Sequence, residues 1–360
     1  MAASKVKVLI VDDSALVRAI IRRALAQHPQ IEVVGLATDG LETLRQIKAL
    51  KPDVVTLDVE MPRLNGIGVL ERVVGKAPVS FVMCSTLTQA GGQVTMEALQ
   101  KGAFDYIAKP KGNEITRLEG FQDQLVQKVL AAARAKGRTR RVAPGAVSAA
   151  PKLPPNHSRG WLVAIGISCG GPQTLMEMLP AFPSEFPPIV VTQHMPAPFT
   201  KPFAARLNNL CAMEVKEAEE GDKIAPGKVL VAPGGYHLKL VRHGVDVGVE
   251  LDDGPEVSRH RPSVDVMFAS AAQTCGSRAI GVIMTGMGSD GARGITDLHN
   301  AGAWTIAQDE ATSLVYGMPK AAVATGCVDH SVRLDRIPFA IVRLMERGLR
   351  KTPTAVGSAL

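Results

Sequence analysis

Short apolar runs alternate with amphipathic segments along this chain, and the alternation is interrupted once, by a stretch that has neither. Residues 6–11 are apolar except for Lys7. Val17, Ile20, Ile21, Ala24 and Leu25 follow at helical spacing behind Ser14, a suitable N-cap. The same exchange of periods recurs at 31–37 (strand), 41–50 (helix) and 54–58 (strand). Later strands fall at 79–85 and 104–108, and a closing helix near 114–135. Strands that are apolar on both faces belong inside a parallel sheet covered by helices, so five such βα units predict a doubly wound α/β domain. Its site belongs at the carboxyl ends of the strands.

The interruption holds Gly137, Pro144, Gly145, Pro151, Pro154 and Pro155 among alanine, serine and basic residues. Such a composition buries too little apolar area to offset the entropy of ordering, so it reads as a linker. The predicted division is a first domain at 1–135, a basic Pro/Ala-rich linker at 136–159, a second domain at 160–350 and a tail at 351–360. Arg134, Lys136, Arg138, Arg140, Arg141, Lys152 and Arg159, with no acidic residue among them, account for the whole net charge of +7. The excess charge therefore implies no nucleic-acid partner, and no helix-turn-helix pattern follows the linker. No run of apolar residues is long enough to span a bilayer, and residues 1–7 lack the apolar core of a signal peptide, so a cytoplasmic, not membrane-embedded protein is expected. The cysteines, at 84, 169, 211, 275 and 327, have no C-x-x-C spacing and suggest neither disulfides nor zinc.

Beyond the linker the α/β pattern resumes. Strands are expected at 161–167, 189–192, 228–231, 279–285 and 303–307, and helices at 173–179, 262–274, 293–300 and 337–347. Residues 237–251 alternate about His243-Gly244 as an antiparallel hairpin. This is a second, mostly parallel, Rossmann-like domain.

Two clusters carry chemistry. In the first domain Asp12 and Asp13 end one strand, Asp58 ends a neighbouring one, and Ser85 and Lys109 end the next two. Crowded carboxylates suit a hard divalent cation such as Mg²⁺, and a hydroxyl and an ammonium facing the same crevice suit a phosphoryl group. Residues 5 to about 125 resemble the response-regulator receiver family through VDDS, LDVEMP, MCST and DYIAKP. The resemblance implies a CheY-like receiver with Asp58 as phosphoacceptor, Mg²⁺ on Asp12, Asp13 and Asp58, and Ser85, Tyr106 and Lys109 as switch residues. A chemotaxis-type histidine kinase would be the phosphodonor.

In the second domain Gly166-Ile167-Ser168-Cys169-Gly170-Gly171 lies between a strand and a helix, the setting of a nucleophilic serine or of a phosphate cradle. His194 ends the strand expected beside Ser168, and Asp290 sits on the glycine-rich loop 285–291. Asp290 could orient His194 or simply cap a helix; the order Ser, Asp, His would require His299 or His330 instead. Residues 160 to about 348 resemble the catalytic domain of CheB-type chemotaxis methylesterases through IGISCGG, VTQHMP, LVAPGGYHL, RHRPSVDVMF and MTGMGSDGARG. The resemblance implies hydrolysis of glutamate methyl esters on methylated chemoreceptors, with release of methanol, and deamidation of glutamines. It assigns Ser168 as nucleophile, His194 as base and then acid, Asp290 as orienting carboxylate and the Met287 amide as oxyanion donor, with no cofactor in the esterase step. The family usually has threonine after the nucleophile, where this chain has Cys169, itself an alternative nucleophile.

Overall fold

Val8 to Val11 are fully buried, as are Val54, Val55 and Leu57, because these strands are covered on both faces. The computed structural model describes residues 5–86, 88–109, 115–135 and 160–349, and the chain divides into two compact units, 1–143 and 144–360. The expected linker and tail lie outside the described residues.

The first unit alternates β1 (Val6–Val11), α1 (Ala15–Ala26), β2 (Ile31–Ala37), α2 (Gly40–Leu50) and β3 (Val54–Asp58). It continues with α3 (Gly66–Val73), β4 (Ser80–Ser85), α4 (Gln89–Gln100), β5 (Asp105–Ala108) and α5 (Ile115–Arg134). Ser14 caps α1 by accepting the Val17 amide, as its position suggested. The sheet order is β2-β1-β3-β4-β5 with every neighbouring pair parallel, which sets the ends of β1 and β3 side by side.

The second unit begins with β6 (Leu162–Ile167), α6 (Gly171–Met178), β7 (Ile189–Gln193), α7 (Ala197–Asn208), β8 (Glu214–Glu217) and β9 (Lys228–Val231). The hairpin β10 (His237–His243) and β11 (Asp246–Asp252) is followed by α8 (Val264–Cys275), β12 (Ala279–Ile283), α9 (Ala292–Asn300) and β13 (Trp304–Gln308). The unit ends with α10 (Met318–Ala324), β14 (His330–Val332) and α11 (Ile337–Arg347). Its parallel sheet runs β14-β13-β12-β6-β7-β9-β8. The chain leaves β6 for β7 on one side and returns to β12 on the other. That reversal opens a crevice at the carboxyl ends of β6 and β12, where ligands bind in such sheets.

Four elements escaped the sequence reading. The α7 helix carries Pro202 inside it, a residue that ordinarily argues against a helix, yet Phe199, Phe203 and Leu207 line its buried face. The strand β8 is polar, Glu214-Val215-Lys216-Glu217, because it lies at the sheet edge. The elements α10 and β14 are too short to show a period. Among the described residues no helix is long and apolar enough to cross a membrane.

Candidate functional site

Ser168 follows β6 directly, and its amide donates to Thr285 O at 2.9 Å, tying the turn to the loop that follows β12. Gly171 N closes the turn on Ser168 O at 2.8 Å, with Gly170 left-handed at φ 72°. A Cβ at Gly171 would lie 1.9 Å from Gln193 Oε1, so only glycine admits the Gln193 side chain there. Gln193 Nε2 in turn donates to Ser168 O and His194 O, binding the two strand ends together.

His194 follows β7, adjacent to β6. Its Nδ1 lies 3.0 Å from Ser168 Oγ and its Nε2 lies 2.7 Å from Asp290 Oδ2. Ser168, His194 and Asp290 thus meet at the switch point, whereas His299 approaches Asp329 at 3.7 Å and His330 stacks on Trp304. Cys169 is buried at 4% exposure.

Asp290 is 2% exposed and accepts from four donors. Ser263 Oγ (2.8 Å) and Asp265 N (3.1 Å) reach Oδ1, while Val264 N (2.7 Å) and His194 Nε2 reach Oδ2. Burial raises its pKa, but the hydrogen bond and charge of His194, with those from Val264 and Ser263, outweigh burial and lower it to about 2. The simple capping role foreseen for Asp290 is real but belongs to another helix: Asp290 satisfies the first amides of α8. Asp265, at the start of α8, returns the favour to α9 by accepting from Gly291 N and Gly294 N, both at 2.9 Å. Two helices exchange their N-terminal caps, and this exchange fixes Asp290.

The loop carrying Met287 presses against the serine. A Cβ at Gly286 would come within 2.8 Å of Ser168 Cβ, and Gly286 O accepts from Gly317 N and Met318 N. Among the described residues the Met287 amide donates to no acceptor.

The sequence reading passed over His260, Ser263, Asp265 and His237. His260 stacks on His194 with ring centroids 3.6 Å apart and planes 13° from parallel. Burial, then the neighbouring His194, lowers its pKa to about 4. The signal available was that His260, Ser263 and Asp265 fall within RHRPSVDVMF and His237 within LVAPGGYHL.

In the first unit, carboxylate oxygens of Asp12, Asp13 and Asp58 lie within 4.8 Å of one another. Lys109 Nζ sits 2.7 Å from Asp12 Oδ2 and 2.8 Å from Asp58 Oδ2. Burial raises Asp58 to about 6 despite the Lys109 hydrogen bond, and Asp12 adds to the rise. Three carboxylates facing one ammonium leave negative charge uncompensated in an all-oxygen donor set, which fits a hard divalent cation. Ser85 Oγ donates to Gly91 O at 3.2 Å. Tyr106 is buried, with Lys128 Nζ 5.1 Å from its ring centroid and 2.9 Å from Asp105 Oδ1.

A receiver sheet followed by a parallel-sheet domain with a hydroxyl, an imidazole and a carboxylate at its switch point defines a response regulator with an enzymatic output domain. Residues 8–118 match the response regulator receiver domain and residues 163–341 the CheB methylesterase family. A protein-glutamate methylesterase/protein-glutamine glutaminase of Chromohalobacter salexigens is 43% identical over 346 residues, spanning 96% of this chain and 98% of its own length. One of Methylobacillus flagellatus is 46% identical over 343 residues, covering 94% and 97%. The crystal structure of the Thermotoga maritima CheB methylesterase catalytic domain superposes with a TM-score of 0.51 at 41% identity, covering 51% of this chain and 98% of that domain. The chain belongs to the CheB methylesterase family and is an enzyme with a receiver domain in front.

Proposed function

We propose that this chain hydrolyses glutamate methyl esters on the cytoplasmic helices of chemoreceptors, releasing methanol, and deamidates glutamines at such sites, under control of Asp58 phosphorylation. The observation that carries the reading is the continuous contact from Ser168 Oγ through His194 to Asp290 Oδ2, 3.0 Å and then 2.7 Å.

Asp290, held ionised, offers only acceptors, so the ring hydrogen of His194 lies on Nε2 and the lone pair on Nδ1 faces the serine. The ring thus presents Nδ1 to the nucleophile, the reverse of the chymotrypsin arrangement. As Ser168 Oγ attacks the ester carbonyl, its proton passes to Nδ1 and Asp290 stabilises the imidazolium. The amide of Met287 donates to the carbonyl oxygen as it gains charge, a contribution worth on the order of 10²–10³ in rate. Collapse breaks the bond to the methoxy oxygen, which leaves as methanol with the proton from Nδ1. Water, deprotonated by Nδ1, then releases the glutamate carboxylate and restores Ser168. With glutamine the same steps release ammonia.

In the receiver, Asp12, Asp13 and Asp58 would hold Mg²⁺, which when bound offsets negative charge on the incoming phosphoryl group. Asp58 accepts the phosphoryl group from a histidine kinase, Lys109 and Ser85 contact its oxygens, and Tyr106 reports the change. Methanol release from methylated receptor, with and without a small phosphodonor, tests the whole reading. Ser168→Ala is expected to abolish release while Asp58 is still phosphorylated; retained release would refute the assignment of the nucleophile.

A further inference from the structure

The loop from Asp253 to Ser263, between β11 and α8, is fixed at several points. His237, 1% exposed, donates from Nε2 to Pro255 O at 3.0 Å and accepts the Ser263 amide on Nδ1 at 3.1 Å, so one ring pins both ends of the loop. Arg261 Nη1 donates to Gly254 O at 2.8 Å and also to Asp253 O, and Gly235 N donates to Arg261 O at 3.1 Å. Val257 and His260 exchange backbone hydrogen bonds of 3.1 and 2.9 Å. The two residues between them, Ser258 and Arg259, are both left-handed, with φ 55° and 65°. That conformation is costly for residues with a Cβ and persists where the surroundings over-determine it. The product of all this fixing is the placement of one ring, His260, flat on His194.

We propose that His260 is a positioning residue for the general base: the pinned turn presses its ring onto one face of His194 and holds that imidazole in the plane that serves both Ser168 and Asp290. The inference rests on the reaction proposed above. The two hydrogen bonds of His194 leave from nitrogens at the ring's edge. They fix its direction but only weakly resist tilting about the line through those nitrogens. A ring stacked on the face opposes that tilt and keeps water off that face. Stacking on a base that becomes an imidazolium requires a neutral partner. His260 meets this requirement: burial and the His194 and Arg259 charges favour its neutral form, against the opposite pull of Asp290. A neutral π-face then attracts the cation it covers.

The test is methanol release by the full chain in the His260→Ala and His260→Phe variants. Rates are expressed per active serine, counted by stoichiometric labelling with an organophosphonate, so that misfolded protein does not enter kcat. Phenylalanine keeps the flat face but can neither titrate nor hydrogen-bond. His260→Ala is expected to lower kcat roughly tenfold to a hundredfold, with KM within about twofold because no substrate contact is lost. His260→Phe is expected to stay within about threefold of the parent. An alanine variant with parental kcat, or a phenylalanine variant as slow as alanine, would overturn the role of His260 while leaving the reaction intact. A parent protein that releases no methanol would remove the reaction and this inference together.

Discussion

Replacing Asp290 by asparagine tests the hydrogen-bond arithmetic of the site. The carboxylate accepts two donors on each oxygen: Ser263 Oγ and Asp265 N on Oδ1, Val264 N and His194 Nε2 on Oδ2. An asparagine amide must turn its NH₂ towards one pair. At the Oδ2 position it faces the Val264 amide and forces His194 to accept on Nε2, which moves the ring hydrogen to Nδ1 and removes the base. At the Oδ1 position it strands only the Asp265 amide, because the Ser263 hydroxyl can rotate and accept. The second orientation keeps the tautomer and is preferred. The loss then comes from the missing charge beside the imidazolium, about 4 kcal/mol for unit charges about 4 Å apart at an effective dielectric of about 20. The amide dipole recovers part of this, so kcat for methanol release is expected to fall by about 10²–10³. That is less than the roughly 10⁴ seen when the wrong tautomer forms in a serine protease. Ser263→Ala alone keeps the other three bonds and is expected to cost less than about threefold. In the double variant no hydroxyl remains to receive the NH₂, the amide turns, and the loss is expected to exceed the product of the singles by at least about tenfold. Nitrogen-15 NMR of the His194 ring reads the tautomer directly. Additive losses, or an Asp290→Asn protein whose ring hydrogen already sits on Nδ1, would refute the reasoning.

Asp58→Asn is expected to leave basal methanol release unchanged and abolish stimulation by a small phosphodonor; stimulation of that variant would count against Asp58 as acceptor. Gly286→Ala places a methyl 2.8 Å from Ser168 Cβ and 2.3 Å from Met318 Sδ. It should destabilise the second unit by about 1–3 kcal/mol and displace the Met287 amide, with a loss near 10² in kcat and little change in KM. Asp290 has a folded pKa of about 2 against an ordinary 3.8, so its contribution is fully present above pH 3.8 and is lost as the pH falls through about 2. The difference corresponds to about 2 kcal/mol. Urea titrations followed by tryptophan fluorescence report the second unit alone, since both tryptophans, 161 and 304, lie there. The slope of stability on pH between 4 and 2 should be shallower in Asp290→Asn, and an unchanged slope would show that Asp290 is not the group responsible.

Most of the scaffold was legible because strands buried on both faces announce themselves as unbroken apolar runs, and β1, β2, β3 and α11 fall where the pattern put them. Ser168, His194 and Asp290 were legible because strand ends and glycine-rich turns are local features that topology brings together. The supports were not. Ser263, Asp265 and His237 act across sequence gaps of 18 residues or more, through cap exchange between helices and a buried ring, and none lies in a pattern that composition or period reveals. His260 precedes Arg261-Pro262, and nothing local shows that two left-handed residues turn it onto His194. The α7 helix was hidden for the opposite reason: Pro202 opposes it locally, and burial of Phe199 and Phe203 overrides that.

The two sites use one residue type in one setting and obtain opposite behaviour. Asp58 and Asp290 are both carboxylates beyond or at the end of a parallel strand, exposed by only 4% and 2%. Burial alone raises both. At Asp58 the opposing help is a shared ammonium and one backbone amide, that of Val59, and Asp12 adds its own charge, so burial carries the group up to about 6. At Asp290 four hydrogen-bond donors converge, two of them amides at the positive end of α8, so the group falls to about 2. An under-compensated carboxylate gains from taking a partner, as a phosphoacceptor held by cation and lysine must. A carboxylate whose lone pairs are all engaged gains nothing from reacting and serves as a fixed negative charge for the imidazolium beside it. The number of donors, rather than the residue or its depth, divides the proposed phosphoacceptor from the proposed orienting carboxylate.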